Sequence, residues 1–97
     1  MKLVVVPLAL AELHDVSAFY AARANAELGL AFVAEFERTA NQILANPMIG
    51  AIFRGERRRC TLRRFPYSLI YQIRSEEIRI IAVAHHRRRP GYWAKRK

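Results

Sequence analysis

The sequence predicts a single α+β domain over residues 1–97, with the element order β-α-α-β-β-β. Three observations lead to this prediction: a short apolar run at the start, two stretches with apolar residues at helical spacing, and three later runs in which apolar and polar residues alternate. A chain of 97 residues has room for one core, because two cores would leave too few residues for each. We therefore expect a small, mainly antiparallel sheet packed on an N-terminal helix hairpin.

The first strand is predicted at Leu3–Val6, where a run of apolar and mostly β-branched residues is typical of a strand buried on both faces. Pro7 ends this strand and suits the first turn of a helix, where the N–H that proline lacks would have no partner. The helix that follows is predicted over residues 8–22. Its apolar residues recur every three or four positions: Ala9, Leu13, Val16 and Tyr20.

A second helix is predicted over residues 30–45, after a break near Ala26 that Asn25 and Gly29 indicate. Its apolar stripe consists of Phe32, Phe36, Ala40, Ile43 and Leu44. Asn46-Pro47 ends it, because proline disfavours a helical conformation in the residue before it. Two amphipathic helices joined by a short connection are typical of an antiparallel hairpin.

The second half of the chain contains the three remaining predicted strands, after a loop over residues 47–56. These strands are expected at residues 59–63, 67–73 and 78–85. The tail, residues 86–97, is expected to be irregular because Pro90-Gly91 interrupts it. In this arrangement the helix hairpin covers one face of the sheet and the first strand lies beside a C-terminal strand. The opposite face displays alternate residues of the arginine-rich strands.

The apolar start of the chain imitates a secretory signal, but it is too short for one and Pro7 interrupts it. It is also well below the roughly 20 residues that a membrane-spanning helix requires. We therefore expect a cytoplasmic protein. The single cysteine, Cys60, agrees with this location and excludes an internal disulfide framework.

The net charge of +9 is distributed unevenly along the chain. Residues 1–50 carry 3 basic and 5 acidic side chains, a net charge of −2. Residues 51–97 carry 14 basic and 3 acidic side chains, a net charge of +11. A field this one-sided favours a polyanionic partner, such as a nucleic acid, an anionic membrane surface or an acidic protein. The alternative is a basic surface that only keeps the protein soluble.

Arginines are concentrated between residues 54 and 64, where six arginines accompany one glutamate. Arginine binds phosphate through two parallel hydrogen bonds and stacks on flat rings, so this segment is a candidate phosphate-binding groove. In a strand, Arg57, Arg59 and Arg63 lie on one face, and Arg58 and Arg64 lie on the other. The alternative is that these arginines keep an edge strand soluble.

A second candidate site follows the last predicted strand, at residues 85–93. Cleavage of RNA needs a base for the 2′-hydroxyl, an acid for the leaving oxygen and cations for the charged phosphorus intermediate. His85 or His86, Tyr92 and Arg87 could fill those roles. The alternative is that one histidine packs in the core while Tyr92 and Trp93 cover the sheet edge. Because adjacent strand residues point to opposite faces, the two histidines are not expected to share a metal ion.

Three segments of the second half carry a resemblance to a known family: Leu62–Tyr71, Glu77–His85 and Arg88–Trp93. Together with the N-terminal helix hairpin, they resemble the RelE/ParE toxin superfamily of bacterial type II toxin–antitoxin modules. The resemblance implies a mainly antiparallel sheet with a helix hairpin on one face. It also implies a toxin that a cognate acidic antitoxin binds in a hetero-oligomer, with no cofactor and no membrane partner.

Two activities occur in this superfamily, and each implies different roles for the residues of this chain. RelE-like members cut mRNA on the ribosome without a metal, and the residues in comparable places here are Arg64, His85, Arg87 and Tyr92. ParE-like members act on DNA gyrase and hydrolyse nothing themselves. The ParE-like branch is favoured, because the lysine pair of RelE-like members is absent and the three lysines of this chain lie near its ends.

The resemblance and the charge together predict a basic surface that contacts the target or the antitoxin. It consists of Arg57, Arg59, Arg63, Arg88, Arg89 and Trp93. A third alternative is a basic module that binds nucleic acid without catalysis. Steep salt dependence of that binding, and no toxicity on expression, would distinguish it from a toxin.

Overall fold

Two helices and five strands form the structure, a computed structural model that describes residues 1–97. Their bounds are β1 Lys2–Val5, α1 Pro7–Arg23, α2 Ala26–Ala45, β2 Ala51–Arg54, β3 Arg57–Thr61, β4 Tyr67–Ile73 and β5 Glu77–His85. The strands form one sheet in the order β1-β5-β4-β3-β2, in which only the pairing of β1 with β5 is parallel. The predicted α+β class and the place of the first strand beside a C-terminal strand are confirmed. Neither helix is long and apolar enough to cross a membrane.

The structure contains one strand more than the sequence predicts. Residues 51–54, expected in a loop, form β2, which pairs antiparallel with β3. The element order is therefore β-α-α-β-β-β-β. With only four residues, mostly exposed side chains and a register shift between Ile52 and Arg54, β2 lacks the alternation that indicates a strand in a sequence. The strand exists because the turn at Gly55, whose φ is +56°, brings it beside β3.

The second helix begins four residues earlier than predicted. Asn25 is its N-cap, and the side-chain oxygen accepts a hydrogen bond from the Leu28 N–H at 2.8 Å. Gly29, expected to mark a break, lies inside α2 where the two helices approach closely. A Cβ atom at this position would lie 2.7 Å from the backbone oxygen of Ser17 in α1. The glycine therefore serves helix packing, and the predicted start at residue 30 is wrong.

The helices cover one face of the sheet through an aromatic cluster. Its members are Tyr20 of α1, Phe32 of α2, Phe65 in the connection before β4, and Tyr67 of β4. Phe32 is fully buried, and its ring centre lies 5.0 Å from that of Phe65 and 5.3 Å from that of Tyr67. The cluster joins both helices to the central strands.

The tail covers part of the opposite face. Arg59 and Ile70 are cross-strand partners on this face, since side chains alternate along each strand and Tyr67 points toward the helices. Residues 86–97 contain no helix or strand, as predicted. Trp93 in this tail is 1% exposed, and its ring centre lies 5.9 Å from that of Phe53 in β2. This face is therefore partly covered, whereas alternation alone predicted an open display of arginines.

Glu35 ties α2 to the connection between β3 and β4. Its carboxylate accepts hydrogen bonds from the Arg38 side chain at 2.7 Å and from the Arg63 N–H at 2.6 Å. Arg38 is the main reason that the pKa of Glu35 falls to about 2, although partial burial opposes this shift. Because the folded-state pKa lies below the ordinary value of 4.5, the charged carboxylate stabilises the folded state.

We expect the contribution of Glu35 to be complete above pH 4.5 and to be lost as the pH falls through about 2. At pH 7, Glu35→Gln should lower the free energy of unfolding by about 2–3 kcal/mol, measured by urea denaturation. The difference in unfolding free energy between wild type and Glu35→Gln should become smaller as the pH falls below 4.5. Glu37→Gln, which alters an exposed acid on the same helix, is the matched control. A gap that stays constant down to about pH 2 would contradict this role.

Candidate functional site

Predicted site residues from β3, β5 and the tail converge on a cleft at the second face of the sheet. About 340 Å³ of space, part of it open to solvent, lies within this basic cleft. Three arginines line it (Arg59, Arg88 and Arg89), together with two histidines and three aromatic rings. No acidic side chain is part of its lining, so the charge presented to a ligand is positive throughout.

Two arginines of the basic cleft are stacked on aromatic rings. The guanidinium carbon of Arg59 lies 4.4 Å from the centre of the Phe53 ring, and that of Arg88 lies 3.7 Å from the centre of the Tyr92 ring. Stacking of this kind orients a guanidinium while leaving the N–H groups at its edge available. The nearest acid is Glu12, whose carboxylate lies 3.9 Å from the Arg88 side chain.

The two histidines of the basic cleft have different surroundings. The His85 ring packs edge-on against Tyr67 with centroids 4.9 Å apart, and its Nδ1 accepts a hydrogen bond from the Arg87 N–H at 2.9 Å. His86 Nε2 lies 3.0 Å from Ser68 Oγ. Each histidine therefore has one ring nitrogen engaged within the chain. No group of three or more His, Cys, Asp or Glu side chains is arranged to hold a metal ion.

Glu12 of α1 anchors the tail at the open edge of β5. β1 pairs with β5 only as far as Ile80, so the β5 backbone beyond it has no neighbouring strand on that side. The Glu12 carboxylate accepts a hydrogen bond from the Val83 N–H there, at 3.1 Å. It also accepts bonds from the Tyr92 hydroxyl and from the Arg96 guanidinium, each at 2.7 Å. One carboxylate thus links α1, β5 and the tail.

Tyr92 is held by this arrangement as a hydrogen-bond donor. Burial is the main cause that raises the pKa of Tyr92 above its ordinary value of 10.0, and the Glu12 carboxylate raises that pKa further. The Tyr92 hydroxyl proton points at Glu12, because a carboxylate can only accept. The hydroxyl therefore donates its proton within the fold, to the Glu12 carboxylate.

Glu12 and Arg96 belong to this arrangement but are not among the site residues that the sequence predicts. The signal for Glu12 is its position, three residues after Ala9 and four before Val16, on the stripe that predicts the buried face of α1. A charged residue on such a stripe requires a partner, because burying an unpaired charge is costly. Arg96 has no comparable signal, since the tail has no periodic structure.

The residues predicted for RNA cleavage are only partly brought together. His85 and Tyr92 line the basic cleft, whereas Arg64 lies at a separate hollow beside Asn25 and the start of α2. Arg87 is exposed and is not part of the lining. A catalytic role for these four residues stays a prediction, and the Tyr92 hydroxyl, which donates to Glu12, lacks the freedom that a general acid needs.

The residues predicted as a basic surface also separate into two groups. Four of the six line the basic cleft: Arg59, Arg88, Arg89 and Trp93. Arg57 instead holds the tail, because its guanidinium donates to the backbone oxygens of Ala94 and Arg96. Arg63 lies beyond β3, in the connection to β4. Trp93 is 1% exposed, so it supports the cleft from below and offers almost no surface of its own.

Comparison with known proteins gives a matching family and solved structures of similar fold. The sequence model of a family described as the ParE toxin of the type II toxin–antitoxin system, parDE, matches residues 3–90. A solved structure described as the chromosomal ParDE TA system from P. aeruginosa superposes with a TM-score of 0.79 at 24% sequence identity. That match covers 88% of this chain and 95% of the other, and at this identity it shows a shared fold. No curated protein matches the sequence.

Proposed function

The chain belongs to the ParE toxin family of type II toxin–antitoxin systems, and we propose that it inhibits growth by binding DNA gyrase. It is the toxin component of such a module, and its partner is a cognate antitoxin. The observation that carries the proposal is the family match, which spans both helices, the sheet and most of the basic cleft. Gyrase is the target that the resemblance to the ParE-like branch implies.

The state of Tyr92 supports a target that is bound and not cleaved. Its hydroxyl donates to the Glu12 carboxylate and has a raised pKa, so it is a poor proton donor for a leaving oxygen. Arg64, the predicted cation for RNA cleavage, lies at a different hollow. Tyr92 and Arg64 are therefore not placed together as the acid and the cation of an RNA-cleaving site.

An exposed apolar patch beside arginines supports an acidic antitoxin with aliphatic residues. Met48, Ile49 and Ile52 are between 40% and 67% exposed, around the start of β2. Arg58 lies next to this patch, with its guanidinium 3.1 Å from the Met48 sulfur and 2.8 Å from the Gly50 oxygen. A partner that covers apolar surface and neutralises nearby arginines gains from both contacts.

The direct test is a supercoiling assay with purified components. Toxin added to gyrase and relaxed plasmid should abolish ATP-dependent supercoiling, and antitoxin encoded beside the toxin gene should restore it. A type I topoisomerase, which is not the proposed target, should relax the supercoiled form of this plasmid equally well with and without the toxin. Full supercoiling at a large molar excess of toxin over gyrase would overturn the proposal.

A parallel assay separates this activity from RNA cleavage. Ribosomes carrying mRNA in the decoding site should yield intact message after incubation with the toxin. Discrete cuts that disappear in Tyr92→Phe or His85→Ala would instead support the ribonuclease alternative. Both assays use the same toxin preparation. Binding of that preparation to the antitoxin checks that the toxin is folded and active.

A further inference from the structure

The arginines of the second half of the chain fall into different classes by what they contact. Arg57, Arg58, Arg79 and Arg96 donate hydrogen bonds to backbone oxygens of the fold. The three arginines of the basic cleft donate none to any group of the chain, although they come from two separate segments. Arg59 comes from β3, while Arg88 and Arg89 come from the tail. Apart from the contact of Arg88 with the Glu12 carboxylate at 3.9 Å, their guanidiniums have no polar partner within the chain.

Two of these arginines are already oriented before a ligand arrives. The Phe53 ring supports Arg59 at 4.4 Å, and the Tyr92 ring supports Arg88 at 3.7 Å. Tyr92 itself is fixed by its hydrogen bond to Glu12. Less side-chain entropy is then lost when these guanidiniums bind a ligand, because their planes are held in advance.

The chemistry of the basic cleft selects the class of ligand. Guanidinium edges match phosphate oxygens, and a lining with three arginines and no carboxylate favours a ligand that carries several negative charges. The exposed face of Arg59, stacked on Phe53, is a flat surface on which a nucleobase can lie. An acidic peptide supplies the charge, but it supplies a ring only where it carries an aromatic side chain, whereas every nucleotide carries a base.

We propose that the basic cleft binds single-stranded nucleic acid without cleaving it, with Arg59, Arg88 and Arg89 on the phosphates and a base on the Arg59–Phe53 stack. A single strand fits better than a duplex, because a duplex hides the faces of its bases in its own stacking. His86 and Ser68, already hydrogen-bonded to each other, close the floor of the site. This binding goes beyond the proposed action on gyrase and holds whatever the toxin's target is.

The test measures binding of a fluorescent oligothymidylate of about 12 nucleotides by anisotropy, with no gyrase present. The double variant Arg88→Ala/Arg89→Ala should weaken binding more than about tenfold and reduce the salt dependence by about two ions. Arg23→Ala/Arg74→Ala is the matched control, since it removes the same charge from two exposed arginines that do not line the basic cleft. The control should bind within about twofold of wild type. Thermal denaturation of both variants checks that they are folded.

A charge-conserving variant and competing ligands test the proposal further. Arg59→Lys keeps the charge but loses the flat guanidinium, so it should also weaken binding. Equal losses for the cleft and control variants would overturn the proposal, because binding would then follow net charge alone. Competition by polyglutamate as strong as that by unlabelled oligothymidylate would also overturn it, in favour of an acidic polypeptide. Equal affinity for duplex DNA would contradict the role of base stacking. Because gyrase is absent throughout, the result does not depend on the supercoiling assay.

Discussion

Replacing Glu12 with alanine is expected to lower the free energy of unfolding by about 3 kcal/mol and to release the tail. The Glu12 and Arg96 side chains are each only 15% exposed, so removal of the carboxylate leaves a largely buried guanidinium without its acid. The Val83 N–H and the Tyr92 hydroxyl lose their acceptor in the same change. Each group left without a partner adds its own desolvation cost.

Urea denaturation measures the loss of stability in Glu12→Ala, and hydrogen exchange of residues 86–97 measures the release of the tail. Asp15→Ala is the matched control, because it removes an exposed acid from the same helix. It should change stability by less than about 0.5 kcal/mol. Glu12→Gln should fall between the two, since an amide oxygen still accepts one bond but no longer pairs with Arg96. Similar stabilities for Glu12→Ala and Asp15→Ala would show that the tail does not depend on Glu12.

Phe32→Ala is expected to cost more, about 3–5 kcal/mol in the free energy of unfolding. The side chain is fully buried, and its ring lies 5.8 Å from that of Tyr20 and 5.0 Å from that of Phe65. Removing the ring leaves a cavity at the point where both helices meet the sheet. The loss includes the transfer free energy of the ring, the cavity itself and the aromatic contacts.

The matched control for this change is Phe19→Ala, because Phe19 is a phenylalanine that is 49% exposed. We expect that variant to lose less than about 1 kcal/mol, since it creates no buried cavity. If Phe32→Ala is too unstable to purify, Phe32→Leu keeps most of the volume and should still be clearly less stable than wild type. Urea denaturation measures both losses, and equal unfolding midpoints for Phe32→Ala and Phe19→Ala would contradict the packing described here.

Local patterns were sufficient where an element carries its own periodicity. β4 was predicted with the bounds that the structure shows, and β5 begins one residue earlier than expected, at Glu77. Both are long, central strands, so their burial is visible in the sequence. β2 was missed because it is a four-residue edge strand that exists through its pairing with β3. The start of α2 differs from the prediction because a glycine is typical of a break, whereas Gly29 permits close contact with Ser17.

For the site, the sequence located the arginine-rich strand and the basic tail. It did not show which arginines hold the tail and which line the basic cleft. Arg57 and Arg59 are two residues apart and equivalent by alternation, yet Arg57 binds the tail backbone and Arg59 lines the basic cleft. That difference depends on where the tail crosses the sheet. No local pattern encodes this path, because the tail has no helix or strand.

By itself, then, the sequence determined the α+β class, the hairpin, the central strands, the uneven charge and the resemblance to a toxin superfamily. These follow from residue types and from spacings of a few positions, which the chain carries before it folds. Only the tertiary structure decided that Glu12 anchors the tail, that the Tyr92 hydroxyl donates to Glu12 and that three arginines converge on one cleft. The physical reason is distance along the chain: Glu12 and Tyr92 are 80 residues apart, and only the packing of α1 against β5 brings their side chains into contact.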